Sequence, residues 1–365
     1  MKKLAGLLLI LFTIHASAQQ VKLTAEHWDS KPNTVEFLTW KGVPSMKILS
    51  NEGQTVLKDL DFRDGTIEYD VEFTDPRFAA VYFRRTSDQE NECFYFRTAR
   101  AFKGKATDAV QYAPFIKGVN LWDMLPEYQS AALIEKEKWN HVKLVVSGKQ
   151  LLAYVNSKLV LQIPQLEADS MHGGISFNGA VVISNLVVKP GKTERLSPVP
   201  GIDLTDNDPR YLRKWEVGQP FKAPDEGRSF KAGFLPEKGV TWDTVIAERR
   251  GLINLTRIFG ESKEKRFVWL KTTIHSEKAQ IRKLNMGFSD EVWVFINQRY
   301  LYADKNLYGS PGAKYPDGRC SLENTAFELP LNEGDNEVLI GLSNDFYGWG
   351  IIARLDRLEG LTIEE

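Results

Sequence analysis

Two segments of nearly the same sequence, residues 81–84 (VYFR) and 94–97 (FYFR), constrain the fold of the first half of the chain. Both follow residues 65–73 (GTIEYDVEF), in which apolar and polar side chains alternate. Successive side chains of a β-strand point to opposite faces of its sheet, so these segments predict neighbouring strands with one buried face. The predicted inward side chains are Val81, Phe83, Phe94 and Phe96. The predicted outward side chains are Tyr82, Arg84, Tyr95 and Arg97.

The rest of the chain is also typical of β-structure. Aromatic residues make up 11% of the 365 residues, glycine and proline occur often, and apolar patterns with a helical period are short. The proline- and glycine-containing stretch 191–200 separates two regions rich in predicted strands. We therefore predict an all-β protein with two antiparallel β-sandwich (jelly-roll) domains in tandem, at residues 19–190 and 201–365, joined by a linker.

Residues 1–18 are typical of a secretory signal peptide, because Lys2 and Lys3 precede an apolar stretch that ends in small residues at 16–18. No later stretch approaches the roughly 20 apolar residues that span a bilayer. We expect export to the periplasm, the extracellular space or the cell surface, with no membrane insertion after cleavage. A retained N-terminal anchor is the alternative.

The formal net charge is −1 and no long basic run occurs, so the sequence indicates neither nucleic acid nor acidic polymers as partners. Cys93 and Cys320 fall in different predicted domains, and we expect buried thiols rather than an interdomain disulfide. No cofactor is predicted. The acid-rich loop with Asp203, Asp206 and Asp208 is a candidate calcium site, although such turns are common without metal.

Several segments of residues 20–190 resemble the concanavalin A-like and laminin G-like sandwich family, especially exported bacterial members. They are 62–68 (FRDGTIE), 82–84, 95–97, 109–112 (AVQY) and 139–143 (WNHVK) with 154–156. Residues 288–297 (FSDEVWVFIN) and 344–350 (NDFYGWG) look like a galactose-binding-type jelly roll. The resemblance implies contact with carbohydrate, and it implies no catalysis by itself, because both families host binding modules and hydrolases.

The first candidate site combines the four outward side chains with residues of the long segment 99–138, namely Gln111, Tyr112 and Trp122. Aromatic rings stack on the C–H faces of sugars, and guanidinium groups donate paired hydrogen bonds to hydroxyls or carboxylates. The alternative is that the arginines pair with local carboxylates while the tyrosines simply cover the sheet.

The second candidate site is the segment 344–350, which places polar and aromatic side chains between two predicted strands. Its members are Asn344, Asp345, Tyr347 and Trp349. The alternative is a glycine-rich turn with Trp349 buried in the core.

The predicted function is non-catalytic binding of a glycan on the concave face of the first sandwich. A glycoside hydrolase with its site in the first domain is one alternative. Glu68, Asp70 and Glu72 share one face of a predicted strand, but the resemblance to laminarinase-type hydrolases places the catalytic acids on a later strand, which here carries aromatic residues. A cell-surface structural or protein-interaction module is the other alternative.

Overall fold

A computed structural model describes residues 19–75, 77–103, 106–223, 235–237 and 239–364. The predicted signal peptide, residues 1–18, lies outside the described residues, and export stays a prediction. Over the described ranges no helix is long and apolar enough to cross a bilayer. The helical elements there are short: α1 (Thr98–Ala101), α2 (Leu255–Phe259) and two 3-10 turns, Ala25–His27 and Arg249–Gly251.

Strands make up the N-terminal sandwich, our name for the two sheets that residues 19–190 form. The strands are β1 (Gln19–Gln20), β2 (Trp28–Asp29), β3 (Val35–Trp40), β4 (Val43–Ile48), β5 (Thr55–Leu57), β6 (Gly65–Phe73), β7 (Phe78–Ser87), β8 (Glu90–Arg97), β9 (Val110–Tyr112), β10 (Phe115–Ile116), β11 (Val119–Asn120), β12 (Gln129–Ser130), β13 (Asn140–Ser147), β14 (Gln150–Val155), β15 (Lys158–Ile163), β16 (Gly174–Asn178) and β17 (Val181–Pro190). Sheet A has the order β15-β14-β13-β6-β17-β4-β3, with β1 beside β17. Sheet B has the order β11-β10-β8-β7-β16-β5-β2, with β9 beside β8 and β12 beside β9.

Strands of residues 214–363 form the C-terminal sandwich. They are β18 (Lys214–Val217), β19 (Phe221–Lys222), β20 (Asp243–Ile246), β21 (Leu252–Asn254), β22 (Arg266–Ser276), β23 (Gln280–Phe288), β24 (Asp290–Ile296), β25 (Arg299–Asn306), β26 (Thr325–Leu331), β27 (Gly334–Asn344), β28 (Gly350–Leu355) and β29 (Leu361–Ile363). Sheet C has the order β20-β18-β22-β27-β24-β25, with β19 and β29 beside β22, and sheet D has the order β21-β28-β23-β26. The predicted all-β class is confirmed, while the linker at 191–200 stays a prediction.

Alternation along the strands builds the core between sheets A and B. On β6, Tyr69 packs edge-on against Phe177 of sheet B with ring centroids 5.0 Å apart, and Phe73 lies 5.0 Å from Phe96. Val81 pairs directly with Phe94 across β7 and β8, as two neighbouring strands with the same pattern predict. The four inward side chains predicted on these strands are all buried in this core. The opposite face of β7 and β8 is left for other contacts.

Polar contacts fix the two sandwiches against each other. Arg250 donates from its guanidinium to the Met124 backbone oxygen (2.9 Å) and to the Glu127 carboxylate (3.0 Å). Arg257 donates to the Glu167 backbone oxygen (2.8 Å). Hydrogen bonds to charged groups stabilise by about 1.5–3 kcal/mol each when they are shielded from water. The loops of the C-terminal sandwich are therefore held beside sheet B.

Candidate functional site

A cleft of about 410 Å³ lies between the outer face of sheet B and two loops of the C-terminal sandwich. We call it the aromatic cleft, and its lining residues are Phe78, Ala80, Tyr82, Cys93, Tyr95, Arg97, Phe115, Asn120, Trp122, Asn178, Tyr308, Phe346 and Tyr347. Four of its aromatic residues are substantially exposed: Phe78 (56%), Tyr308 (49%), Phe346 (43%) and Tyr347 (46%). Removing exposed aromatic side chains from water is favourable, so a cluster of them marks a binding surface.

Trp122 is the centre of the aromatic cleft. Its ring meets Tyr308 at 4.7 Å and Tyr347 at 5.7 Å, both nearly edge-on, and Phe346 lies 6.3 Å away. Tyr308 and Phe346 are parallel, with an interplanar angle of 4° and a centroid separation of 6.0 Å. Side chains from both sandwiches therefore form one aromatic surface.

A hydrogen-bond network fixes the floor of the cleft. Gln111 is fully buried, and its Oε1 accepts from the Tyr95 hydroxyl (2.7 Å) and from Arg97 Nη2 (2.6 Å). Its Nε2 donates to the Trp122 backbone oxygen (2.7 Å). Arg97 Nη2 also donates to the Tyr95 hydroxyl (2.8 Å), and its guanidinium lies 5.0 Å from the Tyr95 ring centroid. Gln111 therefore positions the cleft residues and cannot itself reach a ligand.

The loop at residues 345–349 is anchored by two buried aspartates. Asp290 Oδ2 accepts from the backbone N–H groups of Asp345 (2.5 Å) and Phe346 (3.1 Å). Asp123, from the N-terminal sandwich, accepts from the Gly348 N–H at 3.1 Å. A Cβ at Gly348 would stand 2.2 Å from Met124 Cγ, so glycine lets the loop approach this closely. These contacts carry the aromatic side chains of the loop to the cleft.

The loop at residues 307–324 supplies Tyr308, and buried asparagines hold it. Asn324 Nδ2 donates to the backbone oxygens of Tyr315 (2.7 Å) and Arg319 (2.8 Å), while Asn306 Oδ1 accepts from the Lys314 N–H (2.8 Å). Tyr308 was not among the site residues predicted from the sequence. The signal available was a long segment between two strands that carries a tyrosine next to Gly309, because long loops often hold functional residues.

A second cleft, the arginine cleft, joins the aromatic cleft through three shared residues, Phe78, Arg97 and Tyr308. Its volume is about 570 Å³. Its other lining residues are Arg77, Ala99, Arg100, Asp108, Gly309, Ser310, Ala313, Asp317 and Arg319. Four arginines thus face two aspartates at one end of the aromatic surface.

Several of the predicted site residues are brought together. Tyr82, Tyr95, Arg97 and Trp122 from the first candidate site line the same cleft as Tyr347 from the second. The sequence predicted two separate sites, whereas in the structure residues of both line one cleft. Burial raises the pKa of both the Tyr82 and Tyr95 phenols, so both hydroxyls stay protonated near neutral pH and can donate hydrogen bonds.

The prediction that Arg84 shares this face is wrong. The Arg84 side chain is fully buried, and its guanidinium donates to the Arg63 backbone oxygen (2.8 Å), to Asp64 (2.8 Å) and to the Gly148 backbone oxygen (2.7 Å). The pairing of β7 with β8 is irregular from Phe83 onward, and Arg84 has a φ of +48°. This irregularity ends the alternation on which the prediction depended.

Tyr112 and Trp349 are also buried, away from the cleft. Tyr112 belongs to the core of the N-terminal sandwich, where its hydroxyl hydrogen-bonds Glu92 at 2.5 Å, because alternation along β9 points Gln111 and Tyr112 in opposite directions. Trp349 is fully buried in the core of the C-terminal sandwich, as the alternative interpretation held. Neither side chain can contact a ligand.

Asn344 and Asp345 border a third cleft, which shares Phe115, Phe346 and Tyr347 with the aromatic cleft. Asn344 is mostly buried, and its amide donates to the Tyr347 backbone oxygen at 3.3 Å. Asn344 therefore shapes the loop, while the exposed Asp345 lies at its outer edge.

The three carboxylates predicted on one face of β6 are engaged by other side chains. Glu68 pairs with Lys189 (3.0 Å), Asp70 Oδ2 accepts from Asn185 (2.7 Å), and Glu72 pairs with Lys41 (2.7 Å). They lie on sheet A, on the face opposite the hydrophobic core. They do not line any of the three clefts.

Two aspartates of the candidate calcium loop bond to other groups of the protein. Asp203 Oδ1 accepts from the Thr205 N–H (2.9 Å) and Oδ2 from the Arg250 N–H (2.6 Å), while Asp208 pairs with Arg210 (2.7 Å). In the part of the chain that the structure describes, no group of three or more His, Cys, Asp or Glu residues has the arrangement of a metal site. Cys93 and Cys320 are free and buried.

Four buried acids have raised pKa values because burial disfavours their charged forms. The pKa of Asp123 rises to about 8, through burial first and then through repulsion by Asp290, whose own pKa rises to about 7. The pKa values of Glu92 and Glu167 rise to about 7, again mainly by burial. None of the four lines the aromatic or the arginine cleft. We therefore assign them to the supporting structure.

No protein-family model and no curated protein matches the chain. Solved structures with some similarity include the carbohydrate-binding module CBM66 from Bacillus subtilis, at 14% identity over 45% of this chain and 91% of that chain, with a TM-score of 0.31. A Bacillus subtilis protein of unknown function with a galectin-like fold is 9% identical over 47% of this chain and 98% of that chain, with a TM-score of 0.34. A native glycosidic hydrolase is 13% identical over 50% of this chain and 99% of that chain, with a TM-score of 0.36. Similarity at this level concerns architecture and carries no argument about function.

Proposed function

We propose that this protein binds a glycan in the aromatic cleft without cleaving it. The observation that carries the proposal is the concave surface of exposed aromatic side chains contributed by both sandwiches, with Tyr308, Phe346 and Tyr347 facing Trp122. Ligand pockets of this kind combine apolar and aromatic walls with a few polar groups that fix orientation. The cleft belongs to both sandwiches rather than to the first alone.

The chemistry of the lining suits a sugar better than a wholly apolar molecule. Sugar rings present C–H faces to aromatic rings and hydroxyls to polar groups at their edges. Asn120, Asn178, Tyr82 and Tyr95 line the cleft beside the aromatic rings. The Tyr95 hydroxyl, the Asn120 amide and the Asn178 amide nitrogen form hydrogen bonds with protein groups, so the Tyr82 hydroxyl and the Asn178 side-chain oxygen are the candidates to meet sugar hydroxyls. Amides and phenols both donate and accept hydrogen bonds, as hydroxyl recognition requires.

The carboxylates near the cleft support binding rather than hydrolysis. Glycoside hydrolysis uses a pair of carboxyl groups about 5–10 Å apart on either side of the scissile bond. Among the described residues that line the aromatic cleft, none is Asp or Glu. In the neighbouring arginine cleft, the Asp108 carboxylate is already engaged by Arg100, at 2.5 Å.

The direct test is titration of the purified protein with a panel of soluble polysaccharides, followed by isothermal calorimetry and by release of reducing sugar. We expect saturable binding to at least one polymer with no release of reducing ends. The variant Tyr308→Ala/Phe346→Ala should bind roughly 5- to 150-fold more weakly, because two aromatic contacts of about 0.5–1.5 kcal/mol each are removed.

The matched control is Tyr300→Ala, which removes a tyrosine that is 61% exposed and does not line the cleft. It should bind as the unmodified protein does. Equal loss of binding in both variants, or unchanged affinity in the cleft variant, would contradict the assignment of the aromatic cleft. Polysaccharide cleavage would establish the hydrolase alternative instead.

A further inference from the structure

We infer that the glycan carries an acidic group, a carboxylate or a sulfate, and that the arginine cleft binds it. This inference depends on the proposed function, because it assigns a chemical class to the ligand of the same surface. The arginine cleft adjoins the aromatic cleft and shares Arg97 and Tyr308 with it. A sugar stacked on the aromatic surface therefore has its neighbouring substituent or residue among the arginines.

The arginine cleft has an excess of positive charge. Four of its lining residues, Arg77, Arg97, Arg100 and Arg319, are cationic, and two, Asp108 and Asp317, are anionic. Asp75, just outside the lining, pairs with Arg77 at 2.8 Å. One net positive charge remains when Asp75 is included and two when it is not. The whole chain has a formal net charge of −1, so this excess is local.

Arg319 is the most informative member, because its charge is buried and only weakly compensated. The residue is 2% exposed, and its guanidinium stands 3.6 Å from Asp317 and 3.9 Å from Asp108, beyond hydrogen-bonding distance. Its Nε has no hydrogen-bond partner among the described residues. The protein therefore leaves the positive charge of this buried guanidinium incompletely compensated, and that charge adds to the positive potential of the cleft.

The position of Arg319 couples the two clefts. Its guanidinium lies 5.2 Å from the Trp122 ring centroid, so the same side chain borders the aromatic surface and the arginine cleft. Arg97 donates to three neutral oxygens, the Tyr95 hydroxyl, the Gln111 side-chain oxygen and the Asp108 backbone oxygen. Its positive charge is therefore not neutralised by a hydrogen-bonded carboxylate. Guanidinium groups bind carboxylates and sulfates through paired, charge-assisted hydrogen bonds.

The sequence did not indicate acidic polymers as partners, because that expectation depended on the net charge of the whole chain. The inferred acidic ligand depends on a local excess of positive charge, which the net charge does not report. Net charge averages over the whole chain, including cations that are paired with carboxylates, as Lys189 is with Glu68 at 3.0 Å. The arginines of the cleft come from β8 with the adjoining α1, the loop before β7 and the loop at residues 307–324. Their proximity depends on how the two sandwiches pack.

The experiment compares polymers that share a backbone and differ in charge. Polygalacturonate is titrated against its methyl ester, and chondroitin sulfate against unsulfated chondroitin, so the first pair isolates the carboxylate and the second isolates the sulfate. Unsulfated chondroitin keeps its glucuronate carboxylates, so its pair differs in sulfate alone. We expect at least tenfold tighter binding of the more highly charged member of at least one pair, with an affinity that falls as salt rises from 50 to 300 mM. Equal affinity within both pairs would overturn the inference.

The charge variant is Arg77→Gln/Arg100→Gln, which removes two exposed cations of the cleft. The control, Arg299→Gln/Arg357→Gln, removes the same charge from exposed positions that do not line it. The cleft variant should lose about tenfold in affinity for the more highly charged polymer of a pair and keep its affinity for the less charged one. The control should keep its affinity for both polymers. Equal losses in both variants would show attraction by overall charge and would overturn the site.

Failure of the inference is distinguishable from failure of the proposed function. If the protein binds neutral polymers and the Tyr308→Ala/Phe346→Ala variant does not, while charge has no effect, the aromatic cleft stands as a glycan site and the acidic ligand is wrong. If no polymer of the panel binds at all, the proposed function itself is wrong, and the acidic ligand falls with it.

Discussion

Replacing Asp123 with asparagine should remove a large part of the pH dependence of stability. Asp123 is buried at the joint between the sandwiches, where it accepts from the Gly348 N–H, and its pKa is raised from 3.8 to about 8. In the unfolded chain the same carboxyl group ionises near pH 4. Between these values the folded protein binds a proton that the unfolded chain does not, so the free energy of unfolding falls as the pH rises from about 4 to about 8.

The size of the effect follows from the width of that interval. For each pH unit between the unfolded and folded pKa values, the free energy of unfolding falls by about 1.4 kcal/mol. One group therefore lowers it by about 4 kcal/mol between pH 5 and pH 8. Asp290, Glu92 and Glu167 have raised pKa values near 7 and act with the same sign. The unmodified protein should therefore be more stable at pH 5 than at pH 8.

The measurement is urea unfolding followed by circular dichroism at pH 5, 6, 7 and 8 for the unmodified protein, for Asp123→Asn and for the exposed control Asp206→Asn. The asparagine amide has its own packing cost, but that cost does not change with pH. The difference in unfolding free energy between the unmodified protein and Asp123→Asn should therefore change by up to about 4 kcal/mol over the range. A difference that stays constant with pH would refute the buried, protonated state, and so would an equal change in the control.

Three further changes test the fold and the joint. Phe94→Ala should lower the free energy of unfolding by about 3–5 kcal/mol in urea titrations, because it leaves a cavity between sheets A and B. Gly348→Ala should weaken polysaccharide binding, since its Cβ would stand 2.2 Å from Met124 Cγ, whereas Gly312→Ala, whose Cβ meets nothing closer than 3.8 Å, should bind normally. Cys93 is 2% exposed with a pKa raised by burial, so a thiol reagent at pH 8 should label it only after denaturation, and labelling of the native protein would contradict its placement.

The strands were predictable because alternation in this sequence is strong. Residues 81–84 and 94–97 lie in β7 and β8, which pair as neighbours. In each case one buried face demands apolar side chains at every second position. The same rule located the floor of the cleft, since Tyr82 and Tyr95 line it.

The candidate site was predictable only where that alternation continued. Arg84 departs from it because the backbone changes to a positive φ and the pairing with β8 becomes irregular there. Tyr112 and Gln111 were assigned together to a loop, but the segment pairs with β8 as the short strand β9. Pairing sends the two side chains to opposite faces, and no local pattern of three residues specifies that.

The missing half of the site depends on a contact that is remote in sequence. Trp122 of the N-terminal sandwich meets Tyr308 and Phe346 of the C-terminal sandwich, far apart in the sequence. Their meeting depends on Asp123 accepting from Gly348 and on Asp290 accepting from the same loop. No periodicity in either half encodes this geometry, because periodicity reports only which face of an element is buried.

The joint also explains why a buried carboxyl group is present at a position that supports binding. A hydrophobic residue at Asp123 would avoid the cost of a raised pKa, yet it would leave the Gly348 N–H without an acceptor. Asp123 thus lowers the stability of the protein at neutral pH, but its hydrogen bond with Gly348 fixes the loop that carries Phe346 and Tyr347. If this reasoning holds, Asp123→Leu should weaken polysaccharide binding more than Asp123→Asn does, because the asparagine oxygen can still accept from Gly348. Calorimetric titrations of the two variants would decide the point. Equal affinities would show that the hydrogen bond from Gly348 to residue 123 does not control polysaccharide binding.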